Sequence, residues 1–511
     1  MVIMAELNDD GKTFHLDEVL GKLGAFGKHQ VITMMMLSLV YATNSMYNVN
    51  YVFAVEDVGY RSVTTCEKFS FLKKEMQFHP PLDSGCIRFN TSELVDCQEW
   101  VYEVKDSFMA EFHLAGEEWK LALVGTVHSF GNMLGQLAQG QISDRFGRKT
   151  AAVISGTLGA VLGLTKSFAS SFWFYIILEG LEAALGDALS PMFMLKKKRT
   201  VLFQMILLNC YTAGLIVMPF IAWAVPYWRH FLRVIYAPTL LIVTYSLFLD
   251  ESIRWLYSKG KREQAIKLIQ KIAKRNEIEI DKAMLNKLDY IDEETKNDLS
   301  DRKVLLKTFK SKIMMERFLV CMVWWFTITL INYGMMISSV FIDGNKYVNF
   351  ALLMLMDIPA NVFYWLALSK YKRKMPLFFS FLVGGIFCIS QPFIPKGKKS
   401  FFTTFSYNIV YMYTSELFPT YTRNSMHAIC SAIGRVGSLV APQTPLLVSL
   451  PTFIFGVLSL LSGALTLLMP ETANCELPDT VSEAEKIGRK PLMNKHEKLT
   501  DESAEKLSKV T

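Results

Sequence analysis

Two ionisable side chains stand inside otherwise apolar stretches of this chain: Asp357 in Asp357-Ile-Pro359-Ala360 and Arg435 in Ile433-Gly-Arg-Val-Gly437. A charge surrounded by hydrocarbon is expensive, so each position is a candidate for holding a charged solute. Arg435 cannot readily shed its proton and therefore calls for an anionic partner, which Asp357 or a carboxylate from outside could supply. The plainer alternative is a core ion pair between the two. Aromatic residues cluster in neighbouring apolar stretches, among them Trp324, Trp325, Phe326, Tyr333, Tyr364, Tyr407 and Tyr411. A π face can hold an ammonium group or a flat ring, and Trp325, Tyr333, Tyr407 and Tyr411 join Asp357 and Arg435 as the candidate ligands, the rest being packing. His128 is expected to be a packed core polar group rather than a proton carrier. The chain shows no convincing metal cluster, nucleophile motif or Gly-x-x-x-x-Gly-Lys-[Ser/Thr] loop. No enzymatic activity, cofactor, metal or ATP-driven pumping is expected.

These side chains must be positioned by elements built for a membrane. Half the chain is hydrophobic (51%) and 13% aromatic, with 20% charge and mean hydropathy +0.24, a combination that requires the charge to be segregated into loops. A spanning helix needs roughly 20 mostly apolar residues. Candidates lie at Val31–Val52, Leu121–Ile142, Ala151–Phe168, Phe172–Leu195, Val201–Ala224 and Leu232–Leu249. A second set lies at Phe318–Val340, Val348–Leu368, Met375–Phe393, Phe401–Leu417, Met426–Leu447 and Thr452–Met469. The expected plan is an all-α integral membrane protein: a 1–30 arm, a bundle over 31–249, a middle loop over 250–317, a bundle over 318–469 and a 470–511 tail.

Cations in short loops set the orientation. Arg145, Arg148 and Lys149, then Lys196–Arg199, then Lys370, Lys372, Arg373 and Lys374 fall on one side if both termini are cytoplasmic; Lys396, Lys398 and Lys399 count against it. The +7 formal charge thus reflects topology rather than nucleic-acid binding. With both termini inside, residues 56–119 form a large extracellular loop carrying the sequon Asn90-Thr91-Ser92 and three cysteines, Cys66, Cys86 and Cys97, which cannot all pair with one another. Cys210, Cys321, Cys388 and Cys430 lie in spans as small core residues. In the middle loop, Ala265, Ile266, Leu268, Ile269 and Ile272 give Arg262–Lys274 an amphipathic pattern, suited either to the membrane surface or to protein packing.

The densest cluster of chemistry is Gly140-Gln-Ile-Ser-Asp144-Arg145-Phe-Gly147-Arg148-Lys149, closing the second apolar stretch. It resembles the signature loop of the major facilitator superfamily, whose fold is about twelve transmembrane helices in two six-helix pseudo-symmetric bundles. Further strings occur in order: Trp228-Arg229, Glu251-Ser-Ile-Arg254-Trp255, Gly344-Asn345-Lys-Tyr347, Asp357-Ile-Pro359, Tyr413-Thr-Ser-Glu416-Leu-Phe418-Pro419, Arg423-Asn424 and Pro470-Glu471-Thr472. Together, from about Leu16 to Ala484, they resemble the organic cation/anion/zwitterion transporter family of that superfamily.

The resemblance implies a polytopic plasma-membrane transporter of small organic ions working by alternating access, its partners being that substrate and the lipid bilayer. It places positions 357 and 435 in a central cavity, where a basic residue at the second is typical of members handling anions or zwitterions. It also implies gating roles for Asp144, Arg145, Arg148, Glu251, Arg254, Glu416 and Arg423 at cytoplasmic helix ends. Asp144 could meet the positive N-terminal end of a neighbouring helix, and Arg148 an acid or helix-end carbonyls. Two departures stand out. Lys196–Arg199 replaces a segment that usually carries a glutamate, and the second-half loop Ser369–Lys374 lacks both aspartate and glycine. They keep open a transport-impaired protein acting as a sensor or partner subunit, with a membrane enzyme as the weakest alternative.

Overall fold

The computed structural model describes residues 27–56, 58–62, 87–90, 93–96, 100–186, 198–278, 308–341, 344–370, 373–389, 400–418, 423–447, 450–472, 478 and 481–487. Lys196, Lys372, Lys396, Lys398, Lys399 and Cys66, Cys86 and Cys97 lie outside them. Asn90, Asp144, Arg254 and Arg423 fall on described elements, with their side chains outside the description.

A helix coincides with every apolar stretch of the first set: α1 Lys28–Tyr47, α2 Glu118–Phe146, α3 Arg148–Lys166, α4 Phe172–Gly186, α5 Lys198–Ala224 and α6 Trp228–Thr239, which continues to Phe248. The middle segment supplies α7 Ile253–Ser258 and α8 Arg262–Asn276. The second set gives α9 Lys312–Ser338, α10 Lys346–Leu355 followed by α11 Asp357–Lys370, then α12 Lys374–Ile389, α13 Ser400–Leu417, α14 Arg423–Val440 and α15 Leu450–Thr466; a short α16, Val481–Lys486, follows. By length and composition alone, Met205–Ala224, Trp228–Phe248, Lys312–Ser338 and Lys346–Leu366 are sufficient to cross a membrane.

Packing inverts the pattern of a water-soluble bundle. On α4, Ile177, Leu181 and Leu185 point outward and are exposed, whereas Tyr175, Glu179 and Glu182 of the same helix are buried. An apolar outer face with polar groups turned inward is what hydrocarbon solvent demands. The two halves meet where α2 packs on α14 and α5 on α10 and α11. Polar contacts line the first seam: Ser129 donates to the Ser438 carbonyl at 3.1 Å and Ser431 to Gln136 at 3.1 Å. Three asparagines cross the second, Asn408 donating to Asn361 at 2.6 Å and Asn361 to Asn209 at 3.0 Å.

At the opposite edge from the signature loop, Lys346 pairs with Glu56, and Phe53 packs on Tyr347 and Phe350 with centroids 5.7 and 5.0 Å apart. The loop between α1 and α2 adds two antiparallel ladders, Tyr60–Ser62 with Trp100–Tyr102 and Ile87–Asn90 with Glu93–Asp96. They were not foreseen in the sequence, and the first rests on the helical core through Tyr60 and Tyr102. Helix α8 turns Ala265, Leu268, Ile269, Ile272 and Ala273 onto Trp255 and Leu256, so its apolar stripe is covered by protein. Cys321, Cys388 and Cys430 are buried and Cys210 is half-buried.

Candidate functional site

Arg435 lies midway along the 423–447 stretch formed by α14 and its 3-10 extension. It is 9% exposed, and its Nη1 donates to the Tyr333 hydroxyl of α9 at 2.6 Å, with the guanidinium 5.6 Å from the centre of that ring. The neighbouring glycine explains the close approach. A Cβ on Gly434 would stand 2.5 Å from Cβ of Trp325, so only glycine lets α14 press against α9 at this level. A guanidinium presents five donors in a rigid fork matched to a carboxylate, and Tyr333 takes one of them through a neutral hydroxyl.

Asp357 begins α11 immediately after the break at Met356, and is partly buried. The break has a local cause. Pro359 carries no N–H, so the Leu355 carbonyl cannot receive its helical bond, and the proline falls instead in the first turn of a new helix, where it is tolerated. An acid at that N-terminus is favoured by the helix dipole. Position alone therefore gives Asp357 a structural reason besides a ligand role.

The remaining aromatic candidates group together. Trp325 is fully buried, donates its indole N–H to Thr414 at 3.2 Å, and packs edge-on against Tyr407, Tyr411 and His427 with centroids 5.8, 5.9 and 5.2 Å away. They form one packed wall of the second bundle.

The gating candidates resolve into a helix-capping arrangement. Glu251 accepts the backbone N–H groups of Arg148 and Lys149 at 2.9 and 3.0 Å, satisfying donors that the start of α3 leaves open. Gly147 makes room for it: its φ is +100°, and a Cβ there would meet the Glu251 carboxylate at 2.4 Å. Arg145 is exposed, its guanidinium 5.6 Å from the Phe146 ring centre. Glu416 accepts the Thr472 hydroxyl at 2.6 Å and faces Arg373 at 3.5 Å.

A second charged cluster was missed in the sequence. Lys166, fully buried at the end of α3, donates to Glu179 at 2.7 Å and to Glu182 at 3.0 Å. The two glutamates are three residues apart on α4 and share a face, and the short 167–171 connection brings the lysine back onto it. His128 of α2 meets the other oxygen of Glu179 through Nδ1 at 2.7 Å. The imidazole and the two carboxylates are near enough to share a cation, and the Lys166 ammonium already lies between the carboxylates. The rule that singled out Asp357 and Arg435, an ionisable residue within a span, applies equally to Lys166, Glu179 and Glu182.

Residues 30–480 match the family described as "Sugar (and other) transporter". Solute carrier family 22 member 3 of Rattus norvegicus is 26% identical, the alignment covering 93% of this chain and 96% of that protein. Solute carrier family 22 member 2 of Homo sapiens is 30% identical, covering 78% and 75%, and member 1 of Bos taurus is 29% identical, covering 93% of each. Among solved structures, the major facilitator superfamily proton:xylose symporter XylE bound to 6-bromo-6-deoxy-D-glucose superposes with a TM-score of 0.60 at 16% identity, covering 90% of this chain and 99% of that one. At that identity the likeness concerns the fold, which is the major facilitator fold.

Proposed function

The chain belongs to the sugar (and other) transporter family and, within it, to solute carrier family 22, and from that premise we propose that this membrane transporter of small organic ions prefers a substrate bearing a carboxylate, a zwitterion or an organic anion. The observation that carries the preference is Arg435, buried at the middle of α14 with a neutral phenol on Nη1. A pure cation meets repulsion there. A substrate carboxylate meets a fork of donors in a medium where charge-assisted hydrogen bonds are roughly twice as strong as neutral ones. In this reading Asp357 and the aromatic wall of Trp325, Tyr407 and Tyr411 receive the opposite pole or the organic body, with Tyr333 holding Arg435 in place.

Transport then follows from two bundles rocking about a central site. Asp144, Arg145, Arg148, Glu251, Arg254, Glu416 and Arg423 serve as the cytoplasmic latch of one state, and the protein sits in the plasma membrane with both termini inside. Homologues that are transporters speak for the same non-enzymatic role. Accumulation of a labelled cation, anion and zwitterion panel in cells expressing the protein tests the reading. Uptake of carboxylate-bearing members is expected. Uptake of cations alone contradicts the preference, and uptake of none returns the sensor or partner-subunit alternative.

A further inference from the structure

We propose that His128, Glu179, Glu182 and Lys166 form a proton-binding site whose occupancy is coupled, through Tyr51, to the substrate site at Arg435; the coupling rests on the carboxylate preference proposed above. Among the described residues, the titratable groups around the cluster come from several helices. Tyr47 and Tyr51 come from the end of α1 and the turn after it, His128 from α2, and Lys166 from α3. Tyr175, Glu179 and Glu182 come from α4 and Tyr236 from α6, while Tyr333 and Arg435 act on Tyr51 from the other half. All four members of the cluster are at most 1% exposed.

The formal charges decide the stoichiometry. Two carboxylates and one ammonium leave the cluster at minus one with a neutral imidazole, and at zero with an imidazolium. An uncompensated buried charge is costly, so when no nearby cation offsets it the cluster can take up one proton, by a new N–H bond on the imidazole lone pair of His128. That proton comes from the aqueous phase on one side and returns to the aqueous phase on the other.

Tyr51 joins the cluster to the substrate site. Its ring lies 5.1 Å from that of His128, it is 6% exposed, and its buried hydroxyl has no hydrogen-bond partner among the described residues. Tyr333 packs against the same buried cluster that holds Tyr51, and its hydroxyl takes the Arg435 N–H at 2.6 Å. Tyr51 stands at the seam of the halves, where a Cβ on Gly125 would meet it at 2.9 Å and Pro442 at 2.8 Å. Without substrate, the negative cluster and the positive Arg435 compensate one another across Tyr51. A substrate carboxylate neutralises Arg435 and strands the negative cluster, which then draws a proton. Proton and substrate consequently bind together and move in the same direction.

The test uses the full chain in proteoliposomes with labelled L-carnitine, a quaternary ammonium carboxylate, at clamped membrane potential. An inward proton gradient should raise its accumulation ratio by up to about tenfold per pH unit, the limit for one proton per substrate. His128→Gln should equilibrate the probe without concentrating it. Glu182→Gln, which makes the cluster neutral with no proton and keeps His128, should do the same. Gradient-indifferent accumulation by the wild type, or full gradient-driven accumulation by both variants, overturns the proposal. Infrared difference spectra between alkaline and acidic medium, recorded without substrate, test the proton site on its own: the imidazole ring bands should titrate in the wild type and not in His128→Gln. Absence of that titration overturns the proton site whatever the substrate, whereas titration with no carnitine uptake in any medium overturns the coupling and sinks the carboxylate preference with it.

Discussion

Glu251 and Glu471 hold the same station in the two halves of the molecule. Glu251 takes the backbone N–H groups of Arg148 and Lys149 at 2.9 and 3.0 Å, and Glu471 those of Arg373 and Lys374 at 2.8 and 3.1 Å. Each also accepts the N–H of the residue that follows it, Ser252 at 2.9 Å and Thr472 at 3.1 Å. One carboxylate after the last helix of each bundle thus caps the start of that bundle's third, although the second-half loop has lost the aspartate and glycine of the first.

Removing either cap charge should destabilise the corresponding helix start by about 1 kcal/mol. Glu251→Gln and Glu471→Gln should each lower the thermal midpoint in detergent by roughly 2 °C, and the double variant by about the sum, since the caps stand on different helices in different bundles. A midpoint unmoved in both would mean that the caps are solvent-replaceable.

Asp250 offers a pH dependence with a definite sign. Burial alone would raise its carboxyl, but bonds from Lys271 at 2.7 Å and His29 at 3.1 Å outweigh it and hold the group below its ordinary range. Such a carboxylate stabilises the fold above its unfolded value, about 4, and that contribution is lost as pH falls through the lower folded value. Amide protection of α8, corrected for intrinsic exchange, should be flat across neutral and mildly acidic pH and fall only in stronger acid. Asp250→Asn should open α8 at neutral pH; unchanged protection there would remove Asp250 from the account.

The signature loop gives a kinetic prediction. If Asp144 helps latch one state, Asp144→Asn lowers turnover while surface delivery and apparent affinity stay within a few fold. Wild-type turnover would reduce the loop to a membrane anchor.

Topology is checked at Asn90. Glycosidase treatment should lower the apparent mass of the wild type and leave Asn90→Gln unchanged, while tags on both termini stay unlabelled in intact cells. Labelling of either tag from outside would invert the proposed orientation.

The helical plan was legible because hydrocarbon imposes a length and an apolarity on every span, and each stretch such as Phe318–Val340 carries its helix. The break at Met356 within the Val348–Leu368 stretch has its local cause in Pro359. What the sequence hid was pairing. Nothing in Lys372-Arg373-Lys374 announces that Glu471 will cap it, because the cap depends on which loop end lies beneath which helix. Trp325, Tyr407 and Tyr411 could be named as aromatics in spans, but only the register of α9, α13 and α14 decides that they pack on one another and on His427. Lys166, Glu179 and Glu182 were visible as charges in apolar stretches and were passed over in favour of Asp357 and Arg435. His128 was expected to be a packed core polar group, and the structure buries it against Glu179 in that charge cluster.

Arg435 is proposed as the receptor of the substrate's anionic pole, and reversing its charge tests this most directly. Uptake of a carboxylate-bearing zwitterion and of a pure quaternary ammonium should be measured side by side in wild type and Arg435→Asp, normalised to protein at the cell surface. Loss of the zwitterion by at least about tenfold, the worth of roughly 1.4 kcal/mol in a charge-assisted contact, with cation uptake spared or raised, is the predicted result. A wild type that accumulates only the cation, together with an Arg435→Ala variant that takes it up undiminished, would contradict the assignment.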